Sequence, residues 1–96
     1  MPAVTRIGDE DVTHCSAMTR DGGSTNVFVN GIGVSRQGDN NTSHLKPPVV
    51  CVAHAAPITT GSTTVFVNGK GCGRVGDAIT GCTSVSEGSS NVFAGP

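Results

Sequence analysis

The chain has 96 residues, a formal net charge of −1, fourteen Gly, three Phe and no Tyr or Trp. That length fits one domain over residues 1–96, and a chain of this size buries only about two-thirds of its unfolded surface. With so few large aromatic side chains the core is thin and calls for a staple: a disulfide, a metal or a partner chain. The charge balance, with no basic cluster, excludes an electrostatic nucleic-acid footprint.

In chain order, the opening stretch MPAVTRIGDED lacks the apolar core of a secretory signal, and no apolar run is long enough to span a membrane. The expectation is a soluble protein made in a cytoplasm, where the four cysteines stay reduced. Two disulfides are the alternative.

A repeat then begins. RIGDEDVTH starts at Arg6, RQGDNNTSH at Arg36 and RVGDAITGC at Arg74. Each reads Arg-x-Gly-Asp and, at one fixed spacing, ends in His14, His44 or Cys82. A second motif follows each: GSTNVFVNG to Gly31, GSTTVFVNG to Gly69 and GSSNVFAG to Gly95. The repeat units are residues 6–31, 36–69 and 74–95.

The local structure expected is short strands. β-branched neighbours stand beside Phe28, Phe66 and Phe93 as in half-buried strands; core packing is the expected role of these rings, a spike-facing surface the alternative. Asn-Gly after the first two is a hairpin turn signal. Gly-Asp in Arg-x-Gly-Asp is also turn chemistry; Asp9, Asp39 and Asp77 are expected to cap turns and to pair with Arg6, Arg36 and Arg74. No window has helical periodicity. Pro47, Pro48 and Pro57 keep the long central insertion of the second unit irregular. The fold expected is all-β, three similar strand-turn lobes about a pseudo-threefold axis.

In such an arrangement His14, His44 and Cys82, one per unit, converge near the axis. Zinc takes four tetrahedral nitrogen or sulfur ligands. The insertion supplies the remaining histidine, His54, which gives a closed structural site of His14, His44, His54 and Cys82 holding Zn2+. Metal binding is then folding energy, on the order of 10 kcal/mol. Cys15 and Cys51 are substitute ligands, and Cys72 is read as a small buried residue. The overlapping sequons at Asn40 and Asn41 carry no meaning without secretion. A Cys/His nucleophile pair at Cys51 or Cys15 lacks any sign of an oxyanion loop.

The threefold RxGD…[HC]…GSxxVFxNG pattern resembles the PAAR-repeat family over nearly the whole chain. The resemblance implies a small β-rich cone on the blunt end of a trimeric β-helical spike, VgrG-like or a phage central spike. Such tips belong to type VI secretion or to contractile phage tails. It also implies an apical zinc on three histidines and one cysteine, which fall on His14, His44, His54 and Cys82. The residues before the arginines depart from the signature: AVTR, GVSR and GCGR. The short chain looks more like the spike-tip proteins of T-even-like phages than like a toxin-bearing tip.

The expected protein is therefore a non-enzymatic virion tail tip or type VI secreted tip. One copy would sit on each spike trimer and touch the target membrane transiently. A base carrying exposed apolar residues, some from the VFVN strands, would face the spike. A free-standing zinc- or disulfide-stapled adaptor module and a zinc or cysteine hydrolase are the alternatives.

Overall fold

The structure, a computed structural model, describes residues 1–13, 17–42, 44–46 and 52–96, with 44–46 and 52–54 described in their backbone pairing. Among the described residues the protein is all-β, without helix, and no helix is long and apolar enough to cross a membrane. The radius of gyration is 12.5 Å, close to the roughly 12–13 Å of a compact chain this long.

The regular structure consists of short antiparallel pairs. β1 (Phe28–Val29) pairs with β2 (Ile32–Gly33). β3 (His44–Lys46) pairs with β4 (Val52–His54). β5 (Phe66–Val67) pairs with β6 (Lys70–Gly71), and β7 (Ala78–Ile79) with β8 (Thr83–Ser84). The Asn-Gly signals act as expected. Asn30 and Gly31 have φ of 55° and 75°, Asn68 and Gly69 54° and 78°, the two positive values that a type I′ hairpin turn requires. The β7–β8 turn is three residues long, with Gly81 at φ 76°.

The Arg-x-Gly-Asp stretches are three copies of one turn. The Asp amide donates to the Arg carbonyl at 3.0, 2.9 and 3.1 Å in chain order. Gly8, Gly38 and Gly76 lie at φ of 90°, 93° and 91°, the third position of a type II turn. Each Asp carboxylate accepts from its Arg backbone amide, at 2.8, 2.8 and 2.6 Å. It also accepts from Nε and Nη2 of the same guanidinium. This is the capping and pairing that the sequence leads one to expect.

Between units, backbone hydrogen bonds close a ring. Ser35 N donates to Thr5 O (3.1 Å), Gly73 N to Ser35 O (2.9 Å) and Thr5 N to Gly73 O (3.0 Å). These three residues each precede a repeat arginine. Isolated antiparallel bridges follow the same order: Arg6 with Val34, Arg36 with Cys72, and Arg74 with Val4.

Two small apolar clusters form the core. One gathers Val4, Val34, Val67, Cys72 and Ala94, with Val29 and Val92 against it. The other gathers Ala56, Ile58, Ile79 and Val85, with Val75 and Cys82 against it. Cys72 is buried as expected. The three phenylalanines are not: Phe28, Phe66 and Phe93 are 57, 61 and 50 % exposed. Their assignment to the core is corrected. The residue after each ring, Val29, Val67 or Ala94, takes the inward place beside Val4, Val34 and Cys72. In β1 and β5, each two residues long, that leaves one inward position.

Candidate metal centre

The backbone pairs two of the proposed ligands with each other and sets the segment before a third beside the strand that follows the fourth. In the β3–β4 register His44 stands directly opposite His54, and directly opposed positions in an antiparallel pair share a face. The segment leading to His14 runs beside β8: Val12 N donates to Ser84 O (2.9 Å), and Thr83 Oγ1 to Val12 O (2.7 Å). Cys82 is the last residue of the β7–β8 turn, half-buried, its amide bonded to Ile79 O at 2.9 Å. His14, Cys15 and Cys51 lie outside the described residues, so neither the first ligand nor the substitute cysteines are placed. Among the described residues no group of three His, Cys, Asp or Glu gathers to hold a metal; of the four proposed ligands, Cys82 is the one whose side chain is described.

Around Cys82 the interior is polar, which sequence reasoning missed. Asp11 and Arg20 form an ion pair at 2.9 Å with both side chains 0 % exposed. Arg20 Nη1 also donates to Asp39 O at 3.2 Å. Burial pushes the Arg20 pKa down, opposed by the charges of Asp11, Asp39 and Cys82. Asn41, 1 % exposed, bridges this pair to the sulfur. Its Nδ2 donates to Asp11 Oδ2 (3.1 Å), Met18 Sδ (3.4 Å) and Cys82 Sγ (3.8 Å), and its Oδ1 accepts from Ala56 N (2.9 Å). The signal was present in the repeat: Asp11, Asn41 and Ile79 hold one register position, two after each repeat Asp. The sequon at Asn41 has no room for a glycan, because its amide is buried and bonded.

The donor set suits zinc in chemistry, imidazole nitrogen with one cysteine sulfur. Of that set the structure describes the opposed backbone positions of His44 and His54 and the amide donor on Cys82 Sγ.

At the other cluster, the exposed phenylalanines stand in a frame that repeats. Ser24, Ser62 and Ser89 each accept two backbone amides through Oγ, those of Asn26 and Val27, Thr64 and Val65, and Asn91 and Val92. Asn30 Oδ1 takes Arg6 Nη1, Asn68 Oδ1 takes Arg36 Nη1, and Gly95 O takes Arg74 Nη1. Asn30 Nδ2 then donates to Asn91 Oδ1, and Asn68 Nδ2 to Asn26 Oδ1. Each Phe-bearing segment is thus tied to a repeat arginine, the first also to the third unit and the second to the first.

Comparison with known proteins agrees with the repeat. No curated protein matches the chain significantly. The family model of the PAAR motif matches residues 48–95, from the central insertion through the third unit. That span is half of the chain, and it holds the second and third Val-Phe stretches and the turn that bears Cys82; the chain belongs to the PAAR motif family.

Proposed function

We propose that the protein is a structural, non-enzymatic spike tip that caps and sharpens a trimeric β-helical spike and assists in piercing a membrane. The observation that carries this reading is the exposure of Phe28, Phe66 and Phe93, one repeat-equivalent ring per unit. Val27 and Val65 beside them and Ile32 are exposed as well. Apolar side chains repeated this way favour burial against a partner that presents three equivalent surfaces. A homotrimer does so at its end, and one chain with three similar lobes meets it as a single copy. The ring of hydrogen bonds through Thr5, Ser35 and Gly73 supports a pseudo-threefold arrangement of units 6–31, 36–69 and 74–95 within one domain. Principal extents of 38 × 23 × 22 Å describe an elongated body.

At the narrow end, His14, His44, His54 and Cys82 would hold zinc. Bound there, the metal would cross-link the three units and stiffen a tip that has little apolar core. In this reading the protein works on a phage tail, or on a type VI spike, and meets the target membrane only in passing.

The test is to mix the protein with a candidate trimeric β-helical spike and count copies by native mass spectrometry. One chain per trimer is the expected result. Three chains per trimer, or no complex with any spike from its own system, would overturn the reading.

A further inference from the structure

We propose that Asn41 is a positioning residue of the metal centre, one whose side-chain amide aims the Cys82 sulfur at the metal. This inference rests on the zinc reading above. Asn41 touches all three units at once. Asp11 and Met18 belong to the first, Ala56 to its own and Cys82 to the third. Its flanking chain leads directly into His44, and Ala56 follows His54 by two residues. A single amide therefore links the segments of three proposed ligands.

The orientation of that amide is determined. Oδ1 accepts from Ala56 N at 2.9 Å. A flipped amide would set oxygen against Asp11 Oδ2 and leave the Ala56 N–H facing an NH2 group, which has no lone pair for it. The NH2 group has two hydrogens and three acceptors in reach. The Asp11 carboxylate, the strongest acceptor, takes one. The other lies between Met18 Sδ and Cys82 Sγ. A thioether is a weak acceptor, whereas a metal-bound thiolate carries charge and strengthens any N–H donated to it. Metal binding thus settles that hydrogen on Cys82. At the same register position Asp11 has no donor and Ile79 no polar atom, so of the three residues only Asn41 can fill this role. Partners one shell out from a metal fix the direction of its ligands, and losing one weakens binding by about 10–100-fold.

The test compares the wild type with Asn41→Leu and Asn41→Asp. Zinc affinity is read by competition with a chelator, and the cobalt(II) protein is read by its thiolate-to-metal charge-transfer band. The expected result is about 10–100-fold weaker zinc binding in the variants and a shifted band. A residue with a purely structural part would not move that band. Folded variants with wild-type affinity and an unshifted band would overturn the proposal. If Asn41→Leu fails to fold, the wild-type readout decides, because Asn41→Asp sets a second carboxylate oxygen against Asp11 Oδ2. The wild type gives an independent readout: the 15N-labelled Asn41 side-chain amide resonance should move on zinc loading, and an unmoved resonance overturns the role. A wild type that takes up neither zinc nor cobalt would instead sink the metal reading, and this inference with it.

Discussion

Among the described residues Arg20 and Asp11 form the one ion pair with both side chains fully buried, and the repeat shows what could have stood in their place. Asp11 shares its register position with Ile79, and Arg20, next to the bridge residue Thr19, shares its own with Ile58 and Val85. The first unit therefore sends a fully buried ion pair into an interior where the second places Asn41 and Ile58 and the third Ile79 and Val85. Removing one partner of a buried pair strands the other charge, at a cost of about 3–5 kcal/mol, whereas replacing both with apolar groups is often neutral or stabilising. Arg20→Met should lower the denaturant-unfolding free energy by about that amount, and adding Asp11→Leu should restore part of it. A single-variant loss below about 1 kcal/mol would mean that the pair carries little of the fold. Cys72 gives a second residue-scale prediction. Burial raises its thiol pKa, the carboxylate of Asp77 adds to this, and Arg74 opposes it. A folded-state pKa above the unfolded value means the neutral thiol is the form the fold accepts. That contribution is complete below the ordinary thiol pKa of about 8.5 and is lost as pH rises through it toward the raised value. Val4 and Val34 occupy the equivalent positions, so Cys72→Val should cost less than about 1.5 kcal/mol and should flatten the alkaline loss of stability. An unchanged alkaline limb in thermal melts would assign that loss to other groups.

Among the turns and strands, two glycines in one stretch separate two kinds of constraint. Gly76 is at φ 91° with open space where a Cβ would go, so an alanine there strains only the backbone, by about 1–2 kcal/mol. Gly73 has no such φ, but a Cβ there would lie 2.5 Å from Ser35 O, inside the hydrogen-bonded ring. Gly73→Ala should therefore destabilise more than Gly76→Ala; equal losses in urea melts would show that the ring yields easily. These turns were legible in the sequence because their signals are local. Asn-Gly and Arg-x-Gly-Asp carry their geometry in four residues, and three copies confirm one another. The joining of units was not legible. The bridges of Arg6 with Val34 and Arg36 with Cys72 are set by how whole units meet, and no local pattern encodes them. The phenylalanines failed for a related reason. In Val-Phe-Val either face can be the inner one, and only the neighbouring cluster of Val4, Val34 and Cys72 selects the residue after the ring. As for the candidate centre, the shared register drew attention to Cys82 and the histidines, while Asn41 and Arg20 acquired their importance from packing that joins separate units.

For the molecule as a whole, the exposed rings set folding against docking. A chain with so little apolar material would gain by burying Phe28, Phe66 and Phe93, yet its ring core is filled by smaller side chains and leaves them outside. Phe28 pairs across its hairpin with Gly33, and Phe66 with Gly71, so neither has a cross-strand side chain to rest on. Replacing exposed residues that hold few contacts changes stability by only about 0.5 kcal/mol. Phe66→Ser alone, and then Phe28→Ser, Phe66→Ser and Phe93→Ser together, should accordingly leave the melting temperature within a few degrees of wild type. The same substitutions should weaken binding to a trimeric spike stepwise, since each ring would meet one chain of the trimer. A steep fall in melting temperature with the single change would show that the rings belong to the fold rather than to an interface. Intact binding in a folded triple variant would place the docking surface elsewhere, even with the fold and the metal centre unaffected.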